Sequence, residues 1–153
     1  MNKPDTIKEY IEGILKASRF AVLATEGDGQ PHASLIAITP FGNYRQLVFA
    51  TYRNTAKYRN LDHNSKVAVL IESGDDIKGS GKTIVLTITG RTEEINRAEN
   101  EEAFIAHLKE HPELKSFMLS PDCAIFLVIA QSYQVVYGVD DIKWIAAEDL
   151  DSI

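Results

Sequence analysis

The segment 47–72, LVFATYRNTAKYRNLDHNSKVAVLIE, joins two apolar runs through a polar stretch. Both runs are rich in β-branched and aromatic residues, a composition typical of strands. The polar stretch predicts a short helix that begins at about Asn54 or Thr55, since either side chain can cap it, and ends near His63. The segment is therefore predicted to form a strand, a helix and a second strand, and it is the clearest structural signal in the chain.

Apolar runs of strand length also lie on both sides of this unit and are joined by turns. The stretch EGDGQP, residues 26–31, has the glycines and the proline of a hairpin connection, and PFGNY, residues 40–44, forms the next turn. The predicted strands span 19–25, 32–39, 45–51, 66–72, 82–95, 124–130 and 134–139, with a further run at 142–147.

Two further regions have the periodicity of helices. Near the N-terminus, apolar residues recur at three- and four-residue intervals, at Ile7, Tyr10, Ile11, Ile14 and Leu15. A second helical region spans about 97–119 and is broken by Pro112. Strands joined by short turns, with helices at the edges, predict a mainly β fold: a small antiparallel barrel with peripheral helices rather than a layered α/β sheet.

The composition limits the possible partners and the compartment. A chain of 153 residues with 44% hydrophobic residues predicts a single domain over residues 1–153. The formal net charge of −6 argues against nucleic-acid and anionic-membrane partners, which require a sustained positive field. No apolar run approaches the roughly 20 residues of a membrane span, and the first residues lack the apolar core of a signal peptide. We therefore expect a cytoplasmic protein, in which Cys123, beside an apolar run, is a small buried residue.

Positive charge is nevertheless concentrated around the central helix. Five cations stand against a single acid, Asp62, in this part of the chain: Arg45, Arg53, Lys57, Arg59 and Lys66. The start of a helix presents free backbone N–H groups and partial positive charge, and Lys57 falls in its first turn. With Thr51, Thr55 and Arg53 close by, this arrangement fits a terminal phosphate of a small ligand. The alternative is an ordinary solvated helix, because a lysine in the first turn opposes the dipole by only about 0.3–1 kcal/mol.

The strand HASLIAIT, residues 32–39, is the second candidate ligand-binding element. Alternate side chains of a strand face opposite ways, so Ser34 is predicted to face a ligand while Leu35 and Ala37 face the other side. Backbone amides and aliphatic side chains on an open barrel flank suit a planar heteroaromatic ring.

The stretch HLKEH, residues 107–111, matches an inverted zinc-protease pattern, with two histidines four residues apart. Pro112 follows at once, so His111 falls at a helix end, where a histidine commonly interacts with the terminal carbonyls. The sequence therefore favours a solvated helix here, and no metal site is predicted.

At this point three segments together resemble a known family. RFAVLATEGDGQPHASLIAI, LVFATYRNTAKYRNLDHNSKVAVLIE and LTITGRTEEI are similar in order and spacing to the FMN-binding split-barrel family typified by pyridoxamine 5′-phosphate oxidase. The resemblance implies a six-stranded antiparallel split β-barrel of Greek-key topology with peripheral helices. It also implies a homodimer with one FMN at each of two symmetric interface sites. In that family the residues matching Thr51, Thr55 and Lys57 bind the FMN phosphate.

The resemblance, read together with the residue patterns, yields a full set of expected cofactor-binding residues. Arg53 is expected to replace an arginine of the family that stands where this chain has Ala56. Trp144 is expected either to cover the flavin ring from the partner subunit or to anchor the dimer as a buried aromatic residue. The expected cofactor-binding residues are Ser34, Leu35, Ile36, Thr51, Tyr52, Arg53, Thr55, Lys57 and Trp144.

Departures from the family pattern argue against the vitamin B6 reaction itself. Where the family has basic residues in the second strand, this chain has Ser34 and Thr39. Val85 stands at about the position of a glutamine that contacts the flavin in the family. The family's C-terminal substrate-binding segment has no counterpart in this chain. The leading hypothesis is an FMN-dependent oxidoreductase that acts on a small-molecule redox substrate. A non-catalytic flavin carrier or redox sensor is one alternative, and a deazaflavin in place of FMN is another. A haem-binding or haem-degrading protein is the third, with candidate axial ligands His32, His63, His107 and His111.

Overall fold

The computed structural model describes residues 6–73 and 83–152. Its strands are β1 (Phe20–Gly27), β2 (Gln30–Ala37), β3 (Thr39–Phe41), β4 (Gln46–Tyr52), β5 (Lys66–Glu72), β6 (Val85–Ile95), β7 (Cys123–Gly138) and β8 (Asp141–Ala146). Its α-helices are α1 (Ile7–Ala17), α2 (Ala56–His63), α3 (Glu101–Glu110) and α4 (Lys115–Leu119). Short 3₁₀ helices span Pro112–Leu114 and Ala147–Ser152.

All strand pairs are antiparallel, and the strand order is β2-β1-β5-β6-β7-β4-β3, with β8 added on β7. Strands β5, β6 and β7 follow one another as neighbours while β4 lies beside β7, which is a Greek key. β2 and β4 approach each other, so the sheet curls toward closure. The expected mainly β, antiparallel split barrel with peripheral helices is therefore confirmed.

The number of strands differs from the six that were expected. Eight strands are present in the described residues, because a short β3 forms in the region that was predicted as a turn and β8 pairs with the last part of β7. The predicted strands 124–130 and 134–139 are one strand, β7, which pairs along β6 through a bulge. A bulge adds one residue to a strand without ending it, and so the sequence break at Gln131 does not interrupt the ladder.

Gly90 makes this bulge possible. The register between β6 and β7 shifts between Thr89 and Gly90. A Cβ atom at Gly90 would lie 2.2 Å from the carbonyl oxygen of Ile129, so the two backbones approach more closely there than a side chain allows.

Two apolar clusters stabilise the fold. The larger one fills the barrel and receives the buried face of α1, as the periodicity of that helix predicted. The smaller one lies between the outer face of β4 and the first half of β7 on one side and α3 and α4 on the other. Cys123 belongs to it and is buried, as predicted, and burial raises the pKa of its thiol to about 11. The predicted helix over 97–119 begins at Glu101 and breaks at Pro112.

Strand register shows which side chains share each face of the sheet. Residues directly opposite one another in antiparallel strands lie on the same face. One row crosses the inner face and is largely buried: Ser34, Leu23, Val69, Ile88, Tyr133 and Ile145. The neighbouring row crosses the outer face and includes three of the exposed large apolar side chains: Leu35, Val22, Leu70, Thr87, Gln134 and Trp144. None of the helices described has the length and apolar character needed to cross a lipid bilayer.

Candidate anion and ring site beside helix α2

At the start of α2, two backbone N–H groups have no partner in the described part of the structure. Thr55 is the N-cap, and its Oγ1 accepts a hydrogen bond of 3.1 Å from the backbone N–H of Tyr58. Within the described residues the N–H groups of Ala56 and Lys57 make no hydrogen bond. Free N–H groups at the positive end of a helix dipole favour an anion at this position.

Two hydroxyl groups stand at the same helix start. Oγ1 of Thr51, near the end of β4, lies 3.1 Å from Oγ1 of Thr55. The hydroxyl of Thr55 lies 2.9 Å from the carbonyl oxygen of Tyr52, and that of Thr51 lies 3.3 Å from the same oxygen. The two threonines that were predicted to bind a phosphate therefore lie side by side in the structure.

Lys57 reaches from the first turn of α2 into a cavity of about 250 Å³. The cavity lies between the outer faces of β2 and β4 and the helical region 107–117, and its lining is Phe20, Leu35, Ile36, Ala37, Ala50, Lys57, His107, Leu114 and Phe117. Burial lowers the pKa of the Lys57 amine below its usual value. In the described part of the chain no carboxylate pairs with this amine, so a half-buried cation on a mainly apolar wall has no counter-ion from the protein.

Arg53 is held away from this cavity. Its guanidinium lies 3.2 Å from a carboxylate oxygen of Glu94 on β6, and 5.7 Å from the ring centre of Tyr58. The hydroxyl of Tyr58 donates a 2.9 Å hydrogen bond to the same carboxylate. Arg53 and Glu94 line a separate open cleft of about 490 Å³, which also contains Arg97. The structure therefore does not place Arg53 beside Lys57, and its expected role at the phosphate stays a prediction.

The side chains of β2 point to the opposite faces from those predicted. Leu35 and Ala37 line the cavity, whereas Ser34 pairs with buried Leu23 and shares its inner face. The Oγ of Ser34 is buried and has no hydrogen-bond partner among the described residues. The side chain of Ile36 is buried in the core, so the cavity meets mainly the outward residues of β2 and the backbone between them. The sequence alone does not show which side chains point inward when both faces of a strand carry aliphatic residues.

The two remaining aromatic candidates lie at different distances from the cavity. Tyr52 is half-exposed, and its ring makes an edge contact at 4.6 Å with Phe117, a residue of the cavity lining. Trp144 on β8 does not line the cavity within this chain. It is 62% exposed and lies at the far end of the outer row that begins at Leu35.

The histidines of HLKEH are not on a solvated helix, and that prediction is wrong. Both rings are fully buried, with centres 4.9 Å apart. Nε2 of His111 donates a 2.8 Å hydrogen bond to the carbonyl of Ile38, and Nδ1 of His107 lies 2.8 Å from Oγ1 of Thr39. Burial, reinforced by His111, lowers the pKa of His107 to about 4. Spacing alone did not reveal this, because it shows which residues share a helical face and not what covers that face.

The other two histidines lie elsewhere. His63 is exposed in the last turn of α2, where Nδ1 lies 2.8 Å from the carbonyl oxygen of Arg59. His32 is on β2 opposite Thr25, and its Nδ1 is buried without a partner in the described residues. Neither lines the cavity that contains Lys57.

Comparisons with known proteins agree with this architecture. The sequence model of the family described as pyridoxamine 5′-phosphate oxidase matches residues 7–135. No curated protein matches the chain in sequence.

Solved structures show the same fold at low sequence identity. The chain superposes with a TM-score of 0.84 on a heme binding protein from Mycobacterium smegmatis, at 20% identity, covering 99% of this chain and 62% of that one. A protein related to general stress protein 26, from Clostridium acetobutylicum, gives 0.73 at 14% identity, with 95% and 99% coverage. A FAD-binding protein from Mesorhizobium loti gives 0.64 at 18% identity, with 82% and 91% coverage. The chain thus spans less than two thirds of the first of these neighbours.

Proposed function

Because the chain belongs to the pyridoxamine 5′-phosphate oxidase family, we propose that it is a flavoprotein that holds FMN at a homodimer interface and acts as an oxidoreductase. The observation that carries this proposal is Lys57, a half-buried amine with no counter-ion among the described residues, in a cavity beside the start of α2, where two N–H groups are likewise unpaired within the described part of the chain. FMN combines an anionic phosphate with a planar ring, and the site offers a complement to each.

The phosphate fits the start of α2. A phosphate monoester carries nearly two negative charges and accepts several short hydrogen bonds. Lys57 supplies the positive charge, Ala56 and Lys57 supply backbone N–H donors, and Thr51 and Thr55 supply hydroxyl groups. Arg53 can contact the phosphate only if its ion pair with Glu94 breaks, so it is a secondary contact in this proposal.

The ring fits the wall formed by β2. Leu35, Ala37 and Phe117 present apolar surface to the cavity. Among the described strands β2 stands at one end of the sheet and pairs only with β1, so alternate backbone groups along its other edge are available to the polar edge of a ring. When bound, FMN supplies the hydride and electron chemistry, while these residues bind and orient it and exclude water.

The outer face of the sheet provides the proposed dimer interface. Beside the row from Leu35 to Trp144 runs a second row that carries only small side chains: Ala33, Ala24, Ala68, Thr89, Ser132 and Ala146. A row of large residues next to a row of small ones is self-complementary about a two-fold axis, which is the geometry of an isologous dimer. Such an axis, running along the sheet between the two rows, sets the large residues of each subunit, Trp144 included, against the small row of its partner.

Titration with FMN and with riboflavin tests this function. Riboflavin has the same ring and lacks the phosphate, so the proposal predicts that FMN binds at least about a hundredfold more tightly. Binding is followed by quenching of flavin fluorescence. Equal affinity for the two ligands contradicts the phosphate site, and no binding of either contradicts the flavin function.

The alternatives are separated by further observations on the same protein. A carrier or redox sensor binds FMN yet does not turn over with NADH, NADPH or other reductants under anaerobic stopped-flow conditions. A deazaflavin phosphate competes with FMN for the same site, and mass analysis of the bound ligand distinguishes the two. Haem gives a Soret band, and substitution of His32, His63, His107 and His111 one at a time identifies its axial ligand.

A further inference from the structure

Among the described residues, His107 is the one titratable side chain besides Lys57 that lines the cavity. It reaches the cavity from α3, whereas Lys57 comes from α2. The rest of the lining is apolar, so these two residues account for its polar side-chain chemistry. Lys57 is assigned above to a phosphate, and that assignment leaves the histidine without a role.

The contact with Thr39 determines which ring nitrogen of His107 carries the proton. Oγ1 of Thr39 lies 2.8 Å from Nδ1, and the threonine is 3% exposed. Nδ1 is the one acceptor found for this buried hydroxyl among the described residues. A buried hydroxyl donates where an acceptor is within reach, so Thr39 donates to Nδ1. The neutral ring then carries its hydrogen on Nε2.

Nε2 has no hydrogen-bond partner in the described part of the structure, although it is buried. A buried N–H group without an acceptor is costly, and such groups in native proteins generally meet a ligand or an ordered water. A second proton would not relieve this, because it would go to Nδ1 and leave the Nε2–H unpaired, and burial and the neighbouring His111 also oppose the positive charge. His111 is itself fixed by the carbonyl of Ile38, so it does not rotate to accept from His107.

We propose that FMN, on entering the cavity, displaces the side chains that cover the ring of His107, and that the Nε2–H of His107 then donates a hydrogen bond to an acceptor atom on the ring whose phosphate Lys57 holds. This inference rests on the proposed flavin function. It predicts that the cavity binds ligands whose ring carries a carbonyl oxygen or an unprotonated nitrogen on the edge that faces α3. Thr39 is a positioning residue, since it keeps the hydrogen of the imidazole on Nε2.

Two kinds of experiment test the contact. In protein labelled with ¹⁵N-histidine, the ring spectrum reports protonation at each nitrogen before and after FMN is added. We expect His107 to be protonated at Nε2 and its Nε2 resonance to shift on binding. His107→Phe removes the donor at similar volume and is expected to weaken FMN binding about tenfold. His107→Gln retains an N–H donor and is expected to recover most of the affinity.

Controls separate this contact from the general integrity of the fold. His63→Gln changes an exposed histidine of α2 and should leave FMN affinity unchanged. Thr39→Val removes the hydroxyl, and it should shift the ¹⁵N spectrum of His107 toward a mixture of tautomers. If His107→Phe fails to fold, the ¹⁵N spectrum of the unaltered protein still decides the question.

The failures are distinguishable. If the unaltered protein binds FMN while its His107 resonances do not move and His107→Phe binds equally well, the contact is wrong and the flavin function stands. Protonation at Nδ1 instead of Nε2 also overturns the inference. If the unaltered protein binds no FMN, both the proposed function and the contact fail.

Discussion

Oγ1 of Thr51 and Oγ1 of Thr55 lie 3.1 Å apart across the junction of β4 and α2. The second of these atoms also caps α2 by accepting the N–H of Tyr58. Thr55 therefore has a structural role and, in the proposed function, a ligand-binding role. The two roles respond differently to substitution.

Thr55→Asp separates them. Aspartate is as good an N-cap as threonine or better, so the free energy of unfolding should change little, but its negative charge repels a phosphate and FMN binding should be lost. Thr55→Ala should instead lower the free energy of unfolding by about 1 kcal/mol. Urea unfolding and FMN titration of both variants measure the two effects. An aspartate variant that binds FMN normally would contradict the phosphate assignment.

Lys57→Ala should weaken FMN binding by about ten- to a hundredfold, because it removes a charge-assisted contact to the phosphate. The affinity for riboflavin should hardly change. Arg59→Ala is the matched control, since this cation lies two residues further along α2 and is exposed. A Lys57→Ala protein with full FMN affinity would exclude the amine from the site.

Leu35→Arg and Trp144→Arg should each convert the dimer into monomers, because both residues lie in the exposed outer row and a charge there is buried on association. Sedimentation velocity measures the change. Ile105→Arg is the control, because Ile105 is 54% exposed on α3 and lies outside the two rows. An unaltered protein that stays monomeric at high concentration would contradict the interface.

The stability of the protein should depend on pH through His107. Its pKa is about 4 in the folded protein against an ordinary 6.5, so between these values the unfolded chain binds more protons. The stabilisation is complete above pH 6.5 and is lost as the pH falls toward 4, by roughly 3 kcal/mol. Urea unfolding across this range should show the slope, and His107→Phe should reduce it. The same slope in both proteins would show that other groups cause it.

Gly90→Ala should destabilise the protein by about 1–3 kcal/mol, because its Cβ would meet the carbonyl oxygen of Ile129 at the bulge. Gly13→Ala is the opposite case. This glycine lies within α1, and no described atom beyond the helix's own backbone lies within 4 Å of an added Cβ, so alanine should stabilise the helix by about 0.5–1 kcal/mol. Thermal unfolding of the two variants should shift in opposite directions, and equal shifts would refute the close approach at the bulge.

Much of the fold followed from local patterns. The alternation of apolar runs and turn residues predicted the antiparallel strands, and the spacing of Ile7, Tyr10, Ile11 and Ile14 predicted the buried face of α1. At the candidate site, Thr51, Thr55 and Lys57 could be found because capping and first-turn positions lie close together in the chain.

The remaining features depend on contacts between distant residues. Arg53 forms an ion pair with Glu94. The two residues lie on either side of α2 and β5 in the sequence, and no local pattern predicts that they meet. The burial of His107 requires Thr39 and the packing of α3 on the outer face of β4. Which side of β2 faces the cavity depends on its register with β1, and a shift of one residue would exchange Ser34 and Leu35.

The most direct test of the central claim is the visible absorption spectrum of the protein purified without added cofactor, followed by analysis of what heat denaturation releases. The account predicts the two bands of an oxidised flavin and FMN in the supernatant. A colourless protein that takes up no FMN on reconstitution would contradict it, and a Soret band would show that the cavity belongs to a haem protein instead.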